Sequence, residues 1–171
     1  MVLHLHQQGK SILKKISFLI CWWLYGTYKL LAEKFRAAIE DAKENGEKDT
    51  LDFFQRFPLG CCGDASDLLA QYLSDNGIKT FQVRGDYYDP EPQSHAWLST
   101  EDNIVIDITG DQFKYSKIYK HFDIPVYVGC ESDFHKMFED RDYYCNTEIN
   151  NIGGIAQYRL RILYDIILKY I

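Results

Sequence analysis

No stretch of about 20 consecutive apolar residues occurs in this 171-residue chain, so no segment reads as a membrane-spanning helix. No run of basic residues occurs either, and the formal net charge is -6. Nucleic acid is therefore a poor partner, because binding to phosphates needs a basic surface. There is no internal repeat, no low-complexity tract and no C-x-x-C pair. Zinc held by paired cysteines is thus disfavoured. The five cysteines (Cys21, Cys61, Cys62, Cys130 and Cys145) are odd in number and scattered, unlike a secreted disulfide framework. They read as free thiols in a reducing compartment, most simply a bacterial-type cytoplasm.

What is present is the composition of an ordinary globular domain, with 46% hydrophobic and 26% charged residues and enough length for a sizeable core. Lys14 and Lys15 precede an apolar run over residues 16–25 that includes Trp22 and Trp23. Basic-then-apolar is the order of a signal peptide, but no small-x-small cleavage site follows before Lys29. Two expectations stay open: a helix packed on the domain or a partner, or peripheral contact with a membrane interface.

Residues 11–45 read as helical, with Leu30, Leu31, Phe35, Ala38, Ile39 and Ala42 at helical spacing and Asn45-Gly46 as the stop. Residues 1–48 are expected to form an N-terminal helical extension and residues 49–171 the principal domain. A second helix begins at Cys61-Cys62, carries Ala65, Leu68, Leu69, Tyr72 and Leu73 on one stripe, and stops at Asn76-Gly77. Strand patterns follow at 79–85, 94–99 and 103–109, with a further candidate at 126–128 and a closing amphipathic helix over 155–171. Helices at both ends of several antiparallel strands make an α+β pattern.

Cys62, His95 and Asp107 lie in segments suited to the three parts of a thiol-activating triad. A thiol at a helix N-terminus meets unpaired N–H groups and the positive end of the dipole, which lower its pKa. The residues themselves leave Cys61 and Cys62 both open as the nucleophile. With Thr100-Glu101-Asp102 as a three-residue turn, Ser99 faces Asn103, Trp97 faces Val105 and His95 faces Asp107. That register also puts Ala96, Leu98, Ile104, Ile106 and Ile108 on one apolar face. Asp64 is expected to cap the cysteine helix. His121 and His135 lack suitably spaced partners and are expected on the surface. His4 and His6 offer two ligands only. A zinc site from Cys61, Cys62 and His95 is the competing chemistry, hampered because adjacent cysteines do not easily fill two corners of one tetrahedron.

The Gly60-Cys61-Cys62-Gly63-Asp64 segment leading into a Leu-rich helix resembles the nucleophile segment of the transglutaminase-like branch of papain-fold cysteine enzymes. The segments His95-Ala96-Trp97-Leu98 and Ile106-Asp107-Ile108-Thr109-Gly110-Asp111-Gln112-Phe113 are similar to those of bacterial members, among them the leader peptidases of lasso-peptide maturation. The resemblance covers roughly residues 57–113. It implies a papain-like fold with the nucleophile helix on a small antiparallel sheet, and it puts the nucleophile at Cys62, the base at His95 and the orienting carboxylate at Asp107. Papain-type enzymes place a glutamine in the oxyanion hole, and Gln55 and Gln112 are the candidates here. Trp97 and Cys61 would line the substrate cleft, Trp97 serving as a wall or as core packing. The implied activity is peptidase, deamidase or transamidase action on a peptide or protein, with neither cofactor nor metal. A non-catalytic papain-fold module of the immunity or adaptor type is the alternative.

Overall fold

In the computed structural model, the described residues are 24–47, 52–88, 91–115, 122–145 and 148–171. The apolar run expected at 16–25 lies outside them up to residue 23. Helix α1 spans residues 24–44, followed by α2 (Asp52–Arg56), α3 (Cys62–Asp75), β1 (Thr80–Tyr87), β2 (Gln93–Thr100) and β3 (Val105–Asp107). A 3-10 turn at Gly110–Phe113 leads on to β4 (Tyr127–Gly129), α4 (Asp133–Lys136), β5 (Glu139–Tyr144), α5 (Ile149–Ile152) and α6 (Gly154–Ile167). The protein is mixed α+β, with helices and one five-stranded antiparallel sheet in the order β4-β3-β2-β1-β5. No helix among the described residues is long and apolar enough to cross a membrane.

The sheet is covered on both sides. One cluster joins Leu98, Ile106, Ile108 and Val128 to Phe35, Ile39, Ala65, Leu68, Leu69 and Leu73, which come from α1 and α3. A second, largely aromatic cluster gathers Val83, Trp97, Val105, Phe113, Phe122, Phe134 and Phe138 on the other side. Strand β2 is therefore buried without a break from His95 to Leu98. The Cys62 helix ends where the sequence stops it, with Asn76 as C-cap and Gly77 at φ 78°, a conformation that suits glycine.

Helix α1 packs on the rest of the protein: Tyr28, Ala32, Phe35, Ala38, Ile39 and Ala42 belong to the same buried cluster as α3. Leu30, expected on the buried stripe, is 65% exposed, and Ala32 holds the inner position instead. Arg36 replaces an apolar residue on that inner face and ties the helix to the far end of β3. Its Nη1 donates to the carbonyls of Ile108 and Pro125 and, with Nη2, forms a two-pronged pair with Asp111 at 2.7 and 2.8 Å. Both partners are buried.

Removing one member of a buried pair strands the other charge. Arg36→Ala is expected to destabilise the protein by about 3–5 kcal/mol, as read by urea unfolding. A loss below about 1 kcal/mol would mean that the pair does not anchor α1.

Candidate active site

Three elements converge on His95. Its Nε2 lies 2.8 Å from Asp107 Oδ2, and both side chains are fully buried. The His95 ring and the Ala96 N–H both act electrostatically on the Cys62 thiol at the mouth of α3. The mouth of α3 thus meets β2 at His95-Ala96. With Nε2 committed to the carboxylate, neutral His95 carries its proton there and keeps a lone pair on Nδ1 for the thiol proton.

The hairpin delivers this arrangement by a register other than the expected one. Thr100 pairs with Ile104 (N–H to carbonyl, 3.0 Å), so the three-residue loop is Glu101-Asp102-Asn103, with Asn103 in the left-handed region at φ 58°. Leu98 then faces Ile106 and Ser99 faces Val105, a shift of two residues from the expected pairing. Extending that register puts Asp107 across from Trp97 and diagonal to His95, still within reach of an imidazole. Because side chains alternate with period two, an even shift preserves both faces.

Asp107 is held more firmly than a triad requires. Oδ1 accepts the Thr109 backbone N–H at 2.9 Å and its hydroxyl at 3.4 Å. Oδ2 accepts both His95 and, at 3.2 Å, the Nε2 of His135. His135 is therefore a fully buried member of the site and not a surface residue. Its Nδ1 sits 2.7 Å from the Ser132 hydroxyl, which fixes the ring's orientation. Nothing in the local sequence pairs His135 with Asp107; only the packing of α4 under the sheet does. Gly110 completes the pocket around the carboxylate, since a Cβ there would stand 2.8 Å from Asp107 Oδ2 and collide with Phe122.

Burial favours the neutral form of all three groups, but their mutual charges and hydrogen bonds win. Burial alone would raise the Cys62 pKa; the hydrogen bond and charge of His95, with the Ala96 N–H, bring it below the ordinary thiol value. Burial likewise opposes the His95 imidazolium, yet Asp107 raises its pKa to about 9. Against the same desolvation, His95 and His135 hold Asp107 well below the usual carboxylate range. These shifts bias all three groups toward their ionised forms, thiolate, imidazolium and carboxylate.

Cys61 points the other way. It is 4% exposed, its thiol lies against the carbonyls of Leu59 (3.4 Å) and Phe53 (3.8 Å), and burial pushes its pKa up to about 11. The expected role of Cys61 in lining a substrate cleft is thus corrected: it is a core residue. Trp97, 1% exposed, is core packing too, against His95, His135 and Phe138 with the Arg141 guanidinium 5.5 Å above its ring. Asp64 does not cap α3; both its oxygens pair with Arg159 of α6, at 2.7 and 2.6 Å. The N-cap is Cys61, without a side-chain bond.

Of the two glutamines, Gln112 stands at the site. Its Nε2 is 3.3 Å from His95 Nδ1, and its Oε1 accepts the Gly60 N–H at 3.1 Å. It therefore bridges the turn before Cys62 and the His95 ring. Gln55 is exposed on α2 and faces an adjoining cleft. Among the described residues, no group of three or more His, Cys, Asp and Glu side chains is placed to hold a metal ion. Comparisons with known proteins find no matching family, curated relative or solved structure.

Two outcomes follow at the bench. Iodoacetamide at pH 7, with the label mapped by mass spectrometry, is expected to modify Cys62 at least ~10-fold faster than Cys61. His95→Ala should remove most of that advantage, because only the Ala96 N–H then opposes the effect of burial on the thiol. His135→Ala, which removes a hydrogen bond to a charged group, is expected to cost about 1.5–3 kcal/mol of stability and to slow Cys62 labelling. Unchanged stability and labelling in that variant would deny His135 a part in the site.

Proposed function

We propose that this protein is a transglutaminase-like, papain-fold cysteine enzyme that acts on an amide bond in a peptide or protein. One observation carries the reading: a fully buried imidazole joins a carboxylate at 2.8 Å and acts electrostatically on a thiol at the first turn of a helix. Cys62 at the first turn of α3, with His95 and Asp107 on neighbouring strands, is the topology such enzymes use. The free thiols of Cys61, Cys62, Cys130 and Cys145 support a reducing, cytoplasmic setting.

The chemistry closes with these residues. The Cys62 thiolate attacks the carbonyl carbon, and the oxyanion is met by the Cys62 N–H, free of intrahelical partners at a first-turn position, and by Gln112 Nε2. Protonated His95 gives its proton to the leaving amine, which departs and leaves a thioester on Cys62. Water, or an amine, then attacks the thioester while His95 Nδ1 takes the attacking group's proton; the thiolate leaves and the imidazolium is restored. Water gives hydrolysis or deamidation, and an amine gives transamidation. Asp107 stays ionised throughout and holds the proton of His95 on Nε2.

The test needs no natural substrate. Incubation with the activated acyl donor p-nitrophenyl acetate should add one acetyl group to Cys62, seen by intact mass and peptide mapping, and hydroxylamine should remove it. Cys62→Ala should take none up while keeping its fold. A fold-intact Cys62→Ala that retains the biological effect of the protein would instead favour a binding module. On an amide substrate, kcat/KM should rise with pH as Cys62 ionises at its lowered pKa. It should fall above about 9, where His95 loses the proton that the leaving amine requires. A rate still rising above pH 10 would sink the assignment of His95 as the acid.

A further inference from the structure

A cleft of about 670 Å³ lies against Gly60 and Gln112, with walls that also include Gln55, Arg56, Pro58 and Lys114. Gly60 and Gln112 are the two residues that link the cleft to the site, through the Gly60 N–H to Gln112 Oε1 bond and the approach of Gln112 Nε2 to His95. A chain threaded past Cys62 would run its neighbouring residues into this space.

The charge of the cleft opposes that of the protein as a whole. Its described lining residues contribute four cations, Arg36, Lys43, Arg56 and Lys114, and one carboxylate, Asp111. Asp111 and Arg36 neutralise each other in their two-pronged pair, and Arg36 is further spent on Glu40 and two carbonyls. Lys43 donates to the Phe57 carbonyl at 2.8 Å, which holds its ammonium in place at the rim. Arg56 and Lys114 are exposed; the nearest carboxylate described for Arg56 is that of Asp52, at 3.8 Å and 80% exposed. Lys43, Arg56 and Lys114 thus line the cleft in a chain of net charge -6, with Arg56 in an exposed pair with Asp52. A concave, partly apolar wall concentrates such a field on whatever enters.

Resting on the amide-enzyme reading above, we infer that this cleft is a specificity pocket that takes an acidic side chain of the peptide substrate, close to the amide that Cys62 attacks. Arg56 and Lys114 supply the recognition at the mouth, and Lys43 the fixed charge at the rim. The site then selects peptides with Glu or Asp near the reacting bond and disfavours those with Lys there.

The experiment reads Cys62 directly. Labelling rates with anionic iodoacetate and neutral iodoacetamide are compared in the full chain and in R56Q/K114Q, at low and at 0.5 M salt, with circular dichroism to confirm the fold. The iodoacetate-to-iodoacetamide ratio should fall about threefold or more in the variant at low salt and change little at high salt. Blocked pentapeptides with a central Glu, Gln or Lys among glycines are then tested as protectors of Cys62 against iodoacetamide. The Glu peptide should protect at a concentration about fivefold below that of the Gln peptide, and R56Q/K114Q should erase the difference. Rapid iodoacetamide labelling with an unaltered ratio and no preference for Glu overturns the pocket while leaving the enzyme reading intact. Slow labelling of Cys62 by iodoacetamide in the unsubstituted chain sinks the enzyme reading, and the pocket with it.

Discussion

A single buried carboxylate organises this protein. Asp107 has almost no exposure, and an isolated charge in such a place would be prohibitively unfavourable. It persists because two imidazoles and both donors of Thr109 surround it. Each donor comes from a different part of the fold: β2, the turn after β3, and α4. The requirement to satisfy one anion therefore fixes how those three parts sit together. That same requirement sets the tautomer of His95 and, through it, biases Cys62 toward its ionised form.

The aromatic cluster below the sheet is the other half of this arrangement. Phe113, Phe134 and Phe138 pack on the His95 ring with centroids 5.1–5.7 Å away. These rings restrict the imidazole, and full burial keeps its bond to Asp107 away from solvent. Low local polarity strengthens that bond and makes any unpaired polar atom there costly. Geometry and electrostatics are thus secured by the same side chains.

Much of this was legible in the sequence, and for identifiable reasons. The alternation of Ala96, Leu98, Ile106 and Ile108 marked one sheet face, and the helical stripe through Leu68, Leu69 and Leu73 marked α3; both are buried as their spacing requires. The turn was placed one residue early because Asn103 accepts a left-handed conformation, which polarity alone does not reveal. The second covered face was hidden: Phe122, Phe134 and Phe138 lie in segments without strong periodicity, and β5, reading Glu-Asp-Arg-Asp-Tyr-Tyr, has the composition of a loop. His135 escaped for the same reason, since its partner is 28 residues away in the chain. Arg36 was invisible for a different one, being a cation on a helix face whose neighbours predict only apolar contact.

The clasp between Asp64 and Arg159 has a reach beyond local packing. Asp64 sits two residues from Cys62 in the sequence, and Arg159 pairs with both of its oxygens from the last long helix. The last helix consequently serves as a counterweight for the first turn of α3. Loosening that helix would free a carboxylate beside Cys61, so the setting of that turn depends on a segment 95 positions downstream.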